Sequence, residues 1–289
     1  MKYSVSSYSY NRMIQSGAIT PFDCIAKTKE LGFDAIEFVD FVDFLPLKEE
    51  ERLPYAKRIR AEAERLGLTI SCFTMGADFL NNGDGEISRI KGMVDLAAAL
   101  GVDRMRHDAT TGFTINSENY VCFDTVVEKL ADACRTVTEY AQTKGIRTMV
   151  ENHGYYCQDS ERVEKLYTAI NHPNFSLLGD MGNFMCADEN PALAFARVAP
   201  YLHYVHAKDF FLKSYNDCDP GEGSFPTRSG NHLRGTIVGH GSVPVKQCLS
   251  LVKRTGYDDY ISIEFEGMED VFTALKIGLA NLKKYWAEV

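Results

Sequence analysis

Four short segments in the second half of the chain each close an apolar, strand-like run with a hard metal-ligand residue: Thr148-Met149-Val150-Glu151, Leu177-Leu178-Gly179-Asp180, Tyr204-Val205-His206 and Ile261-Ser262-Ile263-Glu264. Helix-length intervals separate them, which predicts side chains gathered at one end of a parallel sheet. Glu151, Asp180, His206 and Glu264 form a ligand set for a divalent cation, with Mn²⁺ or Mg²⁺ favoured by the oxygen-rich donors and Co²⁺ or Zn²⁺ close behind. Two glutamates facing each other across a cation suit proton transfer beside a carbonyl: the cation polarises the carbonyl, one Glu removes a proton and the other returns it. Glu151 and Glu264 are the expected acid/base pair. The chain has no Gly-x-Ser-x-Gly nucleophile motif and no Cys/His motif, so covalent catalysis is not indicated.

The elements needed to position those residues are legible as eight strand–helix units. Strands are expected at Tyr3–Tyr8, Phe33–Phe38, Leu68–Phe73, Asp103–His107, Ile146–Val150, Phe175–Leu178, Leu202–Val205 and Tyr260–Phe265. Helices are expected at Pro21–Leu31, Lys48–Leu66, Ile87–Leu100, Tyr120–Lys144, Ser160–Ile170, Pro191–Val198, Val245–Thr255 and Asp270–Trp286. Thr20 before Pro21 reads as an N-cap, and Ser160 as a second. The junctions Leu31-Gly32-Phe33, Leu66-Gly67-Leu68 and Leu100-Gly101-Val102 place Gly where a helix needs a left-handed exit. Regular alternation of strand and helix implies parallel right-handed units, and eight of them predict a closed (β/α)8 TIM barrel, an α/β fold, over residues 1–289 as a single domain. A doubly wound open sheet is the competitor, but no Gly-x-Gly-x-x-Gly follows the first strand. A long Gly- and Pro-containing loop at about 207–241 is expected to lie over the catalytic face.

Composition narrows the function classes. Hydrophobic residues make up 45% and charged residues 25%, ordinary for a globular protein with a full core. The net charge of −9 argues against a nucleic-acid backbone as partner. Eight scattered cysteines with no Cys-x-x-Cys pair fit buried thiols in a reducing compartment. No apolar run of membrane-spanning length and no leader pattern is present, so a cytoplasmic protein with no membrane partner is expected.

Taken together, Val150-Glu151-Asn152-His153-Gly154, Gly179-Asp180-Met181-Gly182-Asn183, Val205-His206-Ala207-Lys208-Asp209 and Ile263-Glu264-Phe265-Glu266-Gly267 resemble the xylose isomerase-like TIM-barrel superfamily, and within it the sugar phosphate isomerase/epimerase branch. The likeness extends to Ala26–Glu37 and to Gly239-His240-Gly241-Ser242-Val243-Pro244. The resemblance implies a metal-dependent isomerase or epimerase acting on a small carbohydrate, phosphorylated or not, through an enediolate. It also implies self-association as a dimer or tetramer. A dehydratase of a keto-polyol on the same scaffold is the alternative, and a non-catalytic carbohydrate-binding barrel the second. Departures narrow the choice. Asn183, Cys157 and Leu212 stand where ketose 3-epimerases carry His, Glu and Arg, which argues against that activity, and the residue at 183 also argues against the nuclease relatives. Substrate contacts are expected from His153, His107, Glu37, Asn183, Lys208, Arg234 and His240, with Phe73 and Phe113 as walls of the pocket.

Overall fold

The computed structural model describes residues 1–44, 47–83, 85–113, 118 and 120–289, and at residue 41 the backbone alone. Eight parallel strands close into a barrel: β1 (Lys2–Ser6), β2 (Ala35–Val39), β3 (Thr69–Met75), β4 (Arg104–His107), β5 (Arg147–Glu151), β6 (Phe175–Asp180), β7 (Leu202–Ala207) and, after an excursion, β11 (Tyr260–Ile263). The strands neighbour one another in chain order, and β11 pairs with β1 to close the ring. Around them run α1 (Asn11–Gln15), α2 (Pro21–Glu30), α3 (Asp40–Asp43), α4 (Glu49–Leu66), α5 (Gly85–Leu100), α6 (Phe123–Thr143), α7 (Ser160–Ile170), α8 (Asn183–Cys186), α9 (Pro191–Val198), α10 (Val245–Arg254) and α11 (Val271–Glu288). The expected TIM barrel is present. Among the described residues no helix is long and apolar enough to cross a membrane.

Local chemistry explains the boundaries. Thr20 and Asp23 form a reciprocal capping box at the start of α2, with Pro21 at the first helical position. At α7 the expected cap shifts by one residue. Asp159 caps by accepting from the Arg162 N–H at 3.1 Å, while Ser160 is the first helical residue and donates to Glu189. Gly32, Gly67 and Gly101 all have positive φ, as the repeated junction requires.

Strand parity divides the core. Ala35, Cys72, Met149, Leu178, Tyr204 and Tyr260, one from each of six strands, form a small cluster of their own inside the barrel. Their chain neighbours Ile36, Phe73, Val150, Leu177, Val205 and Ile261 join the large cluster shared with the helices, as does Met105 of β4. Counting two residues onward from the inner layer reaches Glu37, Thr74, Glu151, Asp180, His206 and Ser262. Two register shifts help to aim them: one between Ile36 and Glu37 where β2 meets β3, the other between Leu177 and Leu178 where β6 meets β7. After the second shift Asp180 lies directly beside His206. A slip of one residue turns a side chain to the opposite face, so these irregularities decide what enters the barrel mouth.

The segment expected as a loop at about 207–241 has regular structure. It contains β8 (Asp209–Lys213), β9 (Phe225–Pro226) and β10 (His232–Thr236), an antiparallel sheet in the order β8-β10-β9. Tyr155 Oη donates to the Pro226 carbonyl at 2.8 Å, and the Arg228 N–H to the Cys186 carbonyl at 2.8 Å, tying the sheet to the loops after β5 and β6. Its root is clasped by Asp209, whose buried carboxylate accepts backbone N–H groups from Phe210, Gly239, Gly241 and Val243 at 2.8–3.1 Å. A Cβ at Gly241 would sit 2.2 Å from Asp209 Oδ1, so only glycine lets the chain approach so closely.

Candidate metal centre and active site

The ends of β5, β6, β7 and β11 converge. Glu151, Asp180, His206 and Glu264 each offer one ligand atom, and those atoms all lie within 4.8 Å of one another. From His206 Nδ1 the distances are 3.6 Å to Glu151 Oε1, 3.7 Å to Asp180 Oδ2 and 3.9 Å to Glu264 Oε2. These gaps are too long for hydrogen bonds. Donors about 2.1 Å from a shared cation would stand roughly 3.0–3.4 Å apart, so a small contraction completes a coordination shell. Asp180 Oδ2 and His206 Nδ1 are both buried with no hydrogen-bond partner. Orphaned polar atoms at such depth are costly unless something else satisfies them, and a divalent cation fits this donor set.

Each ligand is held from behind. Glu151 is ion-paired with Arg106 Nη2 at 2.7 Å and accepts from the Asn183 side-chain amide at 2.9 Å. Asn152 brackets the backbone of Asp180, donating to its carbonyl at 3.0 Å and accepting its N–H at 2.8 Å. The Asn183 N–H donates to Asp180 Oδ1 at 2.7 Å. Glu264 faces Lys208 Nζ at 2.5 Å and accepts from Ser6 Oγ at 3.4 Å. Burial opposes ionisation of Glu264, yet Lys208, His206 and Arg106 hold its carboxyl down at about 2. Burial likewise opposes the charge on Lys208, which the surrounding Asp180, Glu264, Glu266 and Glu151 raise well above the ordinary lysine value.

The remaining expected substrate contacts divide. His153 is half exposed beside the cluster, and its Nδ1 lies 3.1 Å from Asp108 Oδ1. Its pKa is raised: burial works against the charge, and Asp108 outweighs it. Lys208 and Asn183 do reach the cluster, but they spend their polar atoms on Glu264, Glu151 and one another, with Lys208 Nζ donating to Asn183 Oδ1 at 3.2 Å. Glu37 is fully buried and turns both oxygens to His206 Nε2, at 2.9 and 3.1 Å, in place of the expected sugar contact. His107 is corrected too. It follows Arg106 on β4 and therefore faces the helices, edge-on to Phe79 at 5.6 Å, with burial pushing its pKa down to about 4. Arg234 is exposed on the excursion sheet with its guanidinium over Phe211, and His240 is exposed in the following turn, so neither joins the cluster. Phe73 is fully buried and packs on Phe44 in the helix-facing core, while Phe113 packs on Tyr156.

Arg106 is the main residue that sequence reasoning missed. Its Nη2 bridges Glu151 at 2.7 Å and Asp108 Oδ1 at 2.6 Å, extending a charged chain from Glu151 to His153. The available signal was parity: Met105 is the apolar residue of Arg104-Met105-Arg106-His107, so it belongs with the helices and Arg106 with the barrel interior. Glu266 was passed over as well. It lies 3.9 Å from Lys208, and burial followed by repulsion from Glu264 and Asp180 raises its pKa.

Known proteins share this frame. Curated relatives include the inosose dehydratase of Lacticaseibacillus casei, 25% identical over 140 residues, or 48% of this chain and 47% of that one. The chain thus aligns with about half the length of that relative. Among solved structures, the probable 3-DHS dehydratase AsbF of Bacillus anthracis superposes with a TM-score of 0.74 at 19% identity, covering 98% of this chain and 99% of that one. The 3-keto-D-glucoside 4-epimerase YcjR of E. coli superposes with a TM-score of 0.70 at 15% identity, covering 98% and 99%. These structural likenesses speak for the fold. The family model for the xylose isomerase-like TIM barrel matches residues 25–285, and the chain belongs to that family.

Proposed function

We propose that this protein is a metal-dependent enzyme that moves a proton at a carbon beside a carbonyl of a small polyhydroxylated substrate, yielding an isomer or epimer. The observation that carries the reading is the cluster itself: three carboxylates and one imidazole converge on one point, with Asp180 Oδ2 and His206 Nδ1 buried and, among the described residues, without a hydrogen-bond partner. Glu151, Asp180, His206 and Glu264 would hold the cation, and when bound it would supply Lewis-acid polarisation of the carbonyl. Glu151 and Glu264 stand at the two ends of the ligand arc, so they can address a substrate from different sides. Arg106 is ion-paired with Glu151 and Lys208 with Glu264, and each cation fixes where its carboxylate stands. His153, half exposed and tied to Asp108, is placed to contact a substrate hydroxyl.

A second reading is dehydration of a keto-polyol. The name of the curated relatives favours it, and Lys208, beside both Glu264 and Asp180, is an ammonium able to protonate a departing hydroxyl. Both readings begin with the same proton abstraction. Keto-sugars and keto-inositols incubated in D2O with Mn²⁺-loaded protein test it: deuterium enters the α-carbon, and product mass separates an isomer from loss of water. Absence of exchange and product across the panel, with metal demonstrably bound, counts against both. A homo-oligomer is also proposed, to be read by light scattering.

A further inference from the structure

His206 has two ring nitrogens, and the structure gives them opposite surroundings. Nδ1 faces Glu151, Asp180 and Glu264 at 3.6–3.9 Å and has no hydrogen-bond partner. Nε2 faces the Glu37 carboxylate at 2.9 and 3.1 Å. Glu37 is wholly buried in the middle of β2, and Thr74 Oγ1 on β3 donates to its Oε1 at 2.5 Å. We propose that Glu37 is the positioning residue of the metal centre: by accepting the Nε2 proton it fixes the His206 tautomer and ring plane, so that the Nδ1 lone pair is presented to the cation. The inference rests on the metal-centre reading above.

The geometry leaves Glu37 no place among the ligands. The two nitrogens of an imidazole point from different edges of the ring, so a carboxylate bonded to Nε2 cannot share an ion held at Nδ1. With Glu37 as the acceptor opposite it, Nε2 is the ring nitrogen that carries the proton. Thr74 uses its hydroxyl as a donor and so keeps the carboxylate in that accepting role. The β2–β3 register shift falls at Glu37 and sets this contact across 169 residues of sequence. Carboxylates behind a ligating histidine typically contribute 10–100-fold to metal affinity.

Mn²⁺ titrated calorimetrically into metal-stripped protein tests this. Wild type binds, Asp180→Asn does not, and Glu37→Gln, nearly isosteric, binds roughly 10–100-fold more weakly. Thr74→Val is weakened less than Glu37→Gln, because the Glu37–His206 contact survives. Circular dichroism of the metal-free variants separates lost affinity from lost fold. Wild-type affinity in a folded Glu37→Gln overturns the proposal, whereas failure of wild type itself to bind Mn²⁺, Mg²⁺, Co²⁺ or Zn²⁺ overturns the metal reading on which it rests. If Glu37→Gln does not fold, ¹⁵N NMR of Zn²⁺-loaded wild type decides: a proton on His206 Nε2 supports the proposal, and one on Nδ1 sinks it.

Discussion

The barrel mouth has two unlike halves. Strands β5, β6, β7 and β11 end in Glu151, Asp180, His206 and Glu264, which converge on one point. Strands β1 to β4 present Ser6, Glu37, Thr74 and Arg106, and none of these is among the four. Instead Ser6 bonds Glu264, Glu37 bonds His206, Thr74 bonds Glu37 and Arg106 bonds Glu151. One half gathers a donor set that could hold an ion, and the other packs against those donors. A metal centre therefore needs the whole ring even when its ligands occupy half of it, because ligand geometry and charge are set by the groups behind.

Breaking the ligand half should have the largest effect. Glu151→Gln and Glu264→Gln each remove a base from the expected proton path, and kcat should fall by roughly 10²–10⁴-fold. Deuterium exchange from solvent measures it; two variants with near wild-type exchange would end the assigned chemistry. Breaking the supporting half comes next. Arg106→Met leaves the carboxylates of Glu151 and Asp108 buried without their cation, a loss of about 3–5 kcal/mol in urea unfolding at pH 7. A loss below about 1 kcal/mol would show that Arg106 is not what holds that side together. Asp108→Asn in the Arg106→Met background should recover part of the loss, since it removes one of the two stranded charges.

Strand β4 supplies a sharper contrast, because Arg106 faces the barrel and His107 faces the helices. His107 has a folded-state pKa of about 4 against an ordinary value of 6.5, so the unfolded chain binds the extra proton between those values. Stability from the neutral ring is fully present above 6.5 and is lost as pH falls toward 4. Between pH 7.5 and pH 5 the wild type should lose about 2 kcal/mol more than His107→Gln. Equal losses would mean that the ring is not buried neutral. The smallest expected effect is that of Ser6→Ala, which removes the 3.4 Å bond to Glu264 and the equally long one that Ser6 Oγ accepts from the Tyr8 N–H. A change in kcat corresponding to about 0.5–1.5 kcal/mol should appear in steady-state kinetics; a loss as large as that of Glu264→Gln would place Ser6 among the reacting groups.

Much of the frame was legible in the chain. The alternation of strands and helices, the Thr20–Pro21 start and the Leu-Gly-x exits are local signals, so the eight units appear at their expected places. The convergence of Glu151, Asp180, His206 and Glu264 was legible because each stands at or beside the end of a strand of fixed chain order. Less visible was the sheet within the excursion, since β8 and β10 pair across a connection of 18 residues containing several turn formers. Parity on β4 was readable from Met105 but easily overridden by the chemistry of a histidine, and a strand of four residues offers little periodicity to correct it.

By itself the sequence determined the residue types at the strand ends and the order in which the barrel strands follow one another. Only the tertiary structure decided which of those residues converge on one point and which face one another. Glu37 meets His206 because the ring closes and because the register slips at β2–β3 and β6–β7. Such slips arise from the packing of whole strands, and no residue-by-residue pattern encodes them. That is why a carboxylate that reads as a substrate contact in sequence becomes, in space, the partner of a histidine 169 residues away.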